Sequence, residues 1–113
     1  GTVWTWGNNE YGQLGDGSVS CAYEPINVTA LNGKDIVSVH AGEYHSIALT
    51  RDGEVYTWGH NDYGQLGLGN ASIVVSTPQK VESLPEIVSI SAVNNIQWYL
   101  VQTDTYIALV TTA

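Results

Sequence analysis

Methionine is missing from this 113-residue chain, lysine and arginine together number three, and cysteine occurs once. Each scarcity excludes something. A chain without methionine has no initiator, and this one opens directly on a strand-like run. Initiator removal or excision from a longer protein accounts for that opening. Lys34, Arg51 and Lys80 face eleven acidic residues, for a formal charge of −8. Phosphate-backbone binding needs clustered cations, so no direct nucleic-acid contact is expected. The charge favours a basic partner, and surface carboxylates also keep an aromatic-rich β protein soluble. Cys21 alone excludes an internal disulfide framework. The apolar runs are far too short to span a bilayer and none resembles a signal peptide, so no membrane partner is expected. Two sequons, Asn27-Val-Thr29 and Asn70-Ala-Ser72, would matter only in a secreted protein and are read as chance.

What the chain does contain is a repeat. Gly1-Thr-Val-Trp-Thr-Trp-Gly-Asn-Asn-Glu-Tyr-Gly-Gln-Leu-Gly-Asp-Gly17 returns as Gly53-Glu-Val-Tyr-Thr-Trp-Gly-His-Asn-Asp-Tyr-Gly-Gln-Leu-Gly-Leu-Gly69, with twelve of seventeen positions identical. Pro25, Val28 and Leu31 return as Pro78, Val81 and Leu84, and Ile36-Val-Ser-Val39 as Ile87-Val-Ser-Ile90. The small shifts of offset fall in polar connections, where insertions are tolerated. A third copy starts at Ile87 and decays: Val93 replaces Gly42, Ile96 replaces His45, and Leu109-Val110 stand where Trp58-Gly59 would be. A period of this length marks a unit that buries its apolar face against copies of itself, and about three are needed for stability. Terminal copies are commonly atypical.

The local pattern predicts strands throughout. Ile36–Val39 and Ser46–Thr50 are β-branched or apolar runs, Asp52-Gly53 is a hairpin signal, and Val55–Trp58 suits a pleated surface. Asn8–Gly17 and Asn61–Gly69 are too glycine-rich for helix and read as ordered loops. No useful helical period appears, so the class is all-β.

The motifs Gly53-x-Val-Tyr-x-Trp-Gly-x-Asn-x-x-Gly-Gln-Leu-Gly-x-Gly69, Pro78-x-x-Val81 and Ala41-Gly42-x-x-His45-Ser-x-Ala-Leu49 resemble the repeat of the regulator of chromosome condensation family. The resemblance covers essentially the whole chain, strongly to about Ile90. It implies a β-propeller, usually of seven blades, each a four-stranded antiparallel sheet around a central channel. About two blades are represented. On this reading 1–113 is one segment of propeller repeats: 1–17 an orphan blade strand with its signature loop, 18–69 a first full repeat, 70–113 a second with a degenerate end. Gly1–Gly7 lacks the hairpin partner that should precede it and must find a sheet in further blades, from the parent chain or other copies. Ile96–Val110 is expected to form a degenerate hairpin around Thr103-Asp104-Thr105.

The signature residues are expected to be structural. Trp6 and Trp58 should fill wedges between blades and be largely buried. Gly7, Gly12, Gly15, Gly59, Gly64 and Gly67 should permit tight turns and close backbone approach. His45 reads as a hydrogen-bonded core histidine, since no cysteine or second histidine recurs at ligand spacing. Catalysis finds no support: Ser46 adjoins His45, but adjacent strand residues point to opposite faces, and no phosphate-binding Gly-x-x-x-x-Gly-Lys loop occurs. Asp52 and Glu54 flank a turn and read as solvent-facing. No cofactor, metal or catalytic residue is expected.

The functional expectation is a non-enzymatic protein-interaction platform presenting loops from rigid sheets. Its contact residues are expected in Asn8, Asn9 and Glu10, in the matching His60 and Asp62, and in Glu43 and Tyr44. Tyr11 and Tyr63 recur identically and are expected to pack under their own loops. Family members include a nucleotide-exchange factor for a small GTPase, an ultraviolet-B photoreceptor and an enzyme inhibitor. The photoreceptor's Gly-Trp-Arg-His cluster is replaced here by Gly42-Glu43-Tyr44-His45. A small GTPase, a basic protein or an inhibited enzyme is therefore the partner class implied, in cytoplasm or nucleus. A purely structural blade pair is the competing reading.

Overall fold

A computed structural model describes residues 2–42, 44–61, 66, 74–82, 87–93, 96–101 and 106–110. Among these residues, nine strands fall into three antiparallel sheets. The first pairs β1 (Trp4–Gly7) with β2 (Ala22–Asn27). The second has four strands in chain order, β3 (Ile36–Ala41), β4 (His45–Thr50), β5 (Val55–His60) and β6 (Val74–Lys80). The third aligns β7 (Ile87–Val93), β8 (Ile96–Val101) and β9 (Tyr106–Val110). A single 3-10 turn at Thr29–Leu31 interrupts the β pattern among the described residues.

Sheet units are offset from the sequence repeat. The complete sheet runs from Ile36 to Lys80, so a repeat that begins at Gly53 begins in the middle of a blade. The β4–β5 connection explains the offset. Thr50 N–H donates to the Glu54 carbonyl at 2.9 Å and Gly53 N–H to the Thr50 carbonyl at 3.1 Å, closing a three-residue hairpin loop. Gly53 stands just ahead of the third strand of this sheet.

The repeat extends to strand irregularities. Pairing slips between Thr5 and Gly7 and again between Thr57 and Gly59, placing a bulge at each repeated Trp-Gly. A matching slip occurs at Ile36/Ser38 and Ile87/Ser89. In the decayed copy Ile96 opposes Val110 and Gln97 opposes Leu109, as His45 opposes Gly59 and Ser46 opposes Trp58. The β8–β9 pairing is the expected hairpin; its turn, 102–105, lies outside the described residues.

Two buried clusters hold the sheets together. Val3, Val28, Leu31, Ile36, Ala48, Trp58, Leu66 and Val75 join the first sheet to the second. Ile47, Leu49, Val55, Val81, Ile87 and Ile90 join the second to the third. Burial of such side chains stabilises by roughly 1.5–3 kcal/mol each before entropy is counted. Alternation along β4 and β5 supplies residues to both clusters, which is why both strands are largely buried.

Trp58 and Trp6 part company here. Trp58 is buried as expected, but Trp6 is 60% exposed. Trp58 is roofed by the loop after β1: its indole N–H donates to the Gln13 carbonyl at 2.8 Å, and Gly15 lies so close that an added Cβ would sit 2.8 Å from Nε1. Among the described residues no such loop lies over Trp6, and β1 pairs there with β2. Identical residues thus acquire opposite burial because the cover comes from the previous repeat.

Candidate interaction face

The loop between β1 and β2 is built by one asparagine. Asn9 is fully buried; its Oδ1 accepts from Leu14 N–H at 2.9 Å, and its amide donates to the Ser18 and Ser20 carbonyls, each at 2.9 Å. Thr5 Oγ1 donates to the Leu14 carbonyl at 2.7 Å. The next repeat copies this scaffold: Asn61 Oδ1 accepts from Leu66 N–H at 3.2 Å and Thr57 Oγ1 donates to the Leu66 carbonyl at 3.0 Å. Asn9 is therefore removed from the expected contact residues. Its amide is consumed in satisfying loop backbone that would otherwise be buried and unpaired.

The same loop is clamped on the following sheet. A Cβ at Gly12 would meet Ser76 Cα at 2.8 Å, Gly17 N–H donates to the Ser76 carbonyl at 2.9 Å, and Ser46 Oγ donates to the Gln13 carbonyl at 2.9 Å. Held this way, the loop carries Tyr11 across the repeat boundary. Tyr11 does not pack beneath its own loop; its ring lies 4.9 Å from that of Tyr44 and 4.5 Å from that of His60. Tyr44 and His60 are themselves 6.2 Å apart, edge to face, and pinned by the 2.8 Å bond from His60 N–H to the Tyr44 carbonyl. All three rings are half-buried, and Asn8 and Glu10 beside them are exposed. Glu10 N–H donates to Asn8 Oδ1 at 2.8 Å, turning the loop at this point.

Of the expected contact residues, the structure thus brings Tyr44 and His60 together and leaves Asn8 and Glu10 at the rim. Glu43 and Asp62 lie outside the described residues, as do Gly64 and Gly67 of the signature and the Tyr63 copy. Tyr11, expected to pack beneath its own loop, joins Tyr44 and His60 instead. Its recurrence pointed to packing, and only the fold shows that its packing partners come from the next repeat.

His45 is buried, 1% exposed, with its ring stacked over Gly42, where a Cβ would come within 2.7 Å of Nδ1. Neither ring nitrogen finds a hydrogen-bond partner among the described residues, so the histidine is in the core as expected but its expected hydrogen bond is not seen there. Burial, with the nearby His60 adding to it, lowers its pKa from 6.5 to about 4. The ring borders an open cleft of about 350 Å³ that Trp4, Trp6, Gln13 and Ser46 also line. Ser46 gives its hydroxyl proton to Gln13 rather than to His45, so no nucleophile–base dyad forms. Among the described residues no group of three or more His, Cys, Asp or Glu could hold a metal. No described helix is long and apolar enough to cross a membrane.

The chain's three cations are placed elsewhere. Arg51 Nε donates to Asp35 Oδ2 at 2.9 Å, Lys80 pairs with Glu54 at 2.9 Å, and Lys34 stands 5.6 Å from the Tyr56 ring centre. The Asn27 amide of the first sequon donates to the Val3 carbonyl at 3.1 Å, a use that glycosylation would disturb.

Comparison with known proteins bears on this geometry. Family models for the regulator of chromosome condensation (RCC1) repeat match residues 1–49 and 52–96, and a second such model matches 36–65. Human Alsin is 40% identical over 104 residues, covering 92% of this chain and 6% of that protein. The human E3 ubiquitin-protein ligase HERC2 is 43% identical over 84 residues, covering 74% of this chain and 2% of that one. Among solved structures, Prp20p of Saccharomyces cerevisiae superposes with a TM-score of 0.87 at 23% identity, over 95% of this chain and 28% of that chain. Human WBSCR16 gives 0.79 at 25% identity, over 93% and 28%. With repeat, bulges, registers and family models in agreement, the chain belongs to the regulator of chromosome condensation (RCC1) repeat family and is built of its propeller blades.

Proposed function

We propose that this chain is a non-enzymatic protein-interaction platform. The Tyr11–Tyr44–His60 cluster carries the reading. Three half-exposed rings from two consecutive repeats are fixed by backbone bonds and a clamped loop, with polar Asn8 and Glu10 at the rim. Rigid aromatic area beside hydrogen-bonding groups is the composition of interface centres. The ligase activity named for HERC2 belongs to a protein of which this chain matches 2%. Prp20p is described with binding to Gsp1p and histones, which supports a protein partner, a small GTPase or a basic protein among them. A cytoplasmic or nuclear setting goes with that proposal.

The test is a partner captured by the full chain and then titrated against variants. Tyr44→Ala with His60→Ala should weaken binding by about tenfold or more, as loss of an interface centre does, with circular dichroism unchanged. Trp58→Leu should instead unfold the chain. Undiminished binding by the double variant would remove this cluster from the contact surface, and failure of the folded chain to capture any partner would refute the platform reading and leave the blades a purely structural role.

A further inference from the structure

We infer that the open edge of β1 is a strand-addition site for a second copy of this chain, filled by that copy's β7–β8 hairpin. Among the described residues β1 has β2 on one side and no strand on the other. A groove runs beside that open edge. Three adjoining clefts of about 350, 200 and 390 Å³ share Trp4 and extend from Trp6 at one end to Val37 at the other. Trp4, Trp6, Val37 and Val39 line them, and all four are exposed. Scattered apolar residues on a surface mean little, but here they come from two sheets and gather along one groove. Beside unpaired backbone, such a contiguous patch marks an interface.

The repeat specifies which strand fits. β1 is the copy of β5, and it pairs with β2 as β5 pairs with β6, bulge included. The other edge of β5 takes β4, with Ser46 opposite Trp58 and Ala48 opposite Tyr56. A strand of the β4 kind is therefore what β1 lacks. β4 itself is buried and held between β3 and β5. β8 holds the same position beside β7, but its partner β9 is the decayed copy, with Leu109-Val110 in place of Trp58-Gly59. β1 keeps the Trp-Gly pair. Exchange of β9 for the β1 of another copy completes a four-stranded sheet, β7–β8 from one chain and β1–β2 from the other. Carried over from β9, the register sets Gln97 opposite Trp6 and Tyr99 opposite Trp4. Packing follows the same rule. β7 already lies against β3 and β4 on the face that carries Ile47 and Leu49. The second copy's hairpin covers the other face, where Val39 stands opposite Ala48. Such a contact runs head to tail, and a closed ring of roughly three or four copies would hold about six or eight sheets, within the range of propellers.

The full 113-residue chain is used with Cys21→Ser, so that the exposed native thiol does not compete. Light scattering over a dilution series should show a mass of at least two chains that falls toward one. Trp4→Cys and Tyr99→Cys chains, mixed and mildly oxidised, should form the mixed disulfide in about tenfold excess over either homodimer, since opposed strand residues lie within disulfide reach. Trp4→Cys should not link to Trp98→Cys, whose side chain points to the opposite face. A chain with both Tyr99→Cys and Ile107→Cys, which face each other across β8 and β9, fastens β9 in place when oxidised. It should be monomeric oxidised and associate once reduced. A monomer under every condition would overturn the inference. Association of the oxidised, fastened chain would overturn it too, by showing that copies meet without exchange, and so would equal linkage through residues 98 and 99. None of these outcomes touches Tyr44 or His60, so the platform reading stands or falls by itself.

Discussion

His45 and Asn9 show how one buried polar residue can be satisfied and another left wanting. Asn9 spends its amide on its own loop; the two ring nitrogens of His45 are buried without a partner among the described residues. The lowered pKa of His45 makes that a pH effect of definite sign. An unfolded histidine takes up its proton near 6.5, whereas the folded one resists until about 4. Between those values the unfolded state holds more protons, so stability is full above about 6.5 and falls as pH drops through the window. The loss should be ~3 kcal/mol. Urea midpoints measured from pH 7.5 down to 4 should show it, and His45→Ile, the residue the third copy uses, should flatten the slope. Equal slopes would mean that His45 is hydrated in solution. At this scale the sequence was readable where recurrence was heeded. Asn9 recurs as Asn61 just as Tyr11 recurs as Tyr63, and the same reasoning that assigned the tyrosines to packing would have removed Asn9 from the contact surface. The state of the His45 nitrogens was not readable, because hydrogen bonding depends on what the fold brings opposite.

The antiparallel class and strands β3, β4 and β5 were legible, whereas β2 and β6, which contain Pro25 and Pro78, and the pairing of β1 with β2 were not. Alternation, the Asp52-Gly53 turn and the repeat itself carry the information, and even the decayed copy keeps its register through Leu109 and Val110. The bulges at Trp6 and Trp58 were not, since a two-residue slip leaves no mark on alternation. Their glycines allow a clean comparison. Gly7 and Gly59 share the left-handed region, at φ +111° and +110°. A Cβ at Gly7 would meet nothing within 4 Å, whereas at Gly59 it would press on the Tyr44 carbonyl oxygen at 2.6 Å and His45 Cα at 2.7 Å. Backbone strain therefore cancels between the two alanine variants. Gly59→Ala should be the more destabilising by about 1–3 kcal/mol, the cost of overpacking, read from urea unfolding. Equal losses would show that β4 does not press on the bulge.

At the scale of the whole molecule, the described residues show one repeat's loop closing over the next repeat's tryptophan, Gln13 and Gly15 over Trp58. Neighbour-only contacts make stability a sum of repeat and interface terms. A chain carrying residues 1–52 twice, the extra copy ahead of Gly1, would recreate the Asp52-Gly53 junction and set a second Gln13 and Gly15 over Trp6. The Trp6 of the inner copy should then be shielded from acrylamide and emit to the blue, with a higher unfolding midpoint; unchanged quenching would show that the roof is not transferable. This dependence could not be seen in the sequence, where Trp6 and Trp58 look equivalent, because the cover belongs to a different repeat from the residue it covers. It resembles tiling on a slope. A defect in the Gln13–Gly15 course lets water in beneath it, onto Trp58, while leaving the tiles above it dry. Damage in such a protein has a downhill direction: an error in one repeat harms its successor before its predecessor.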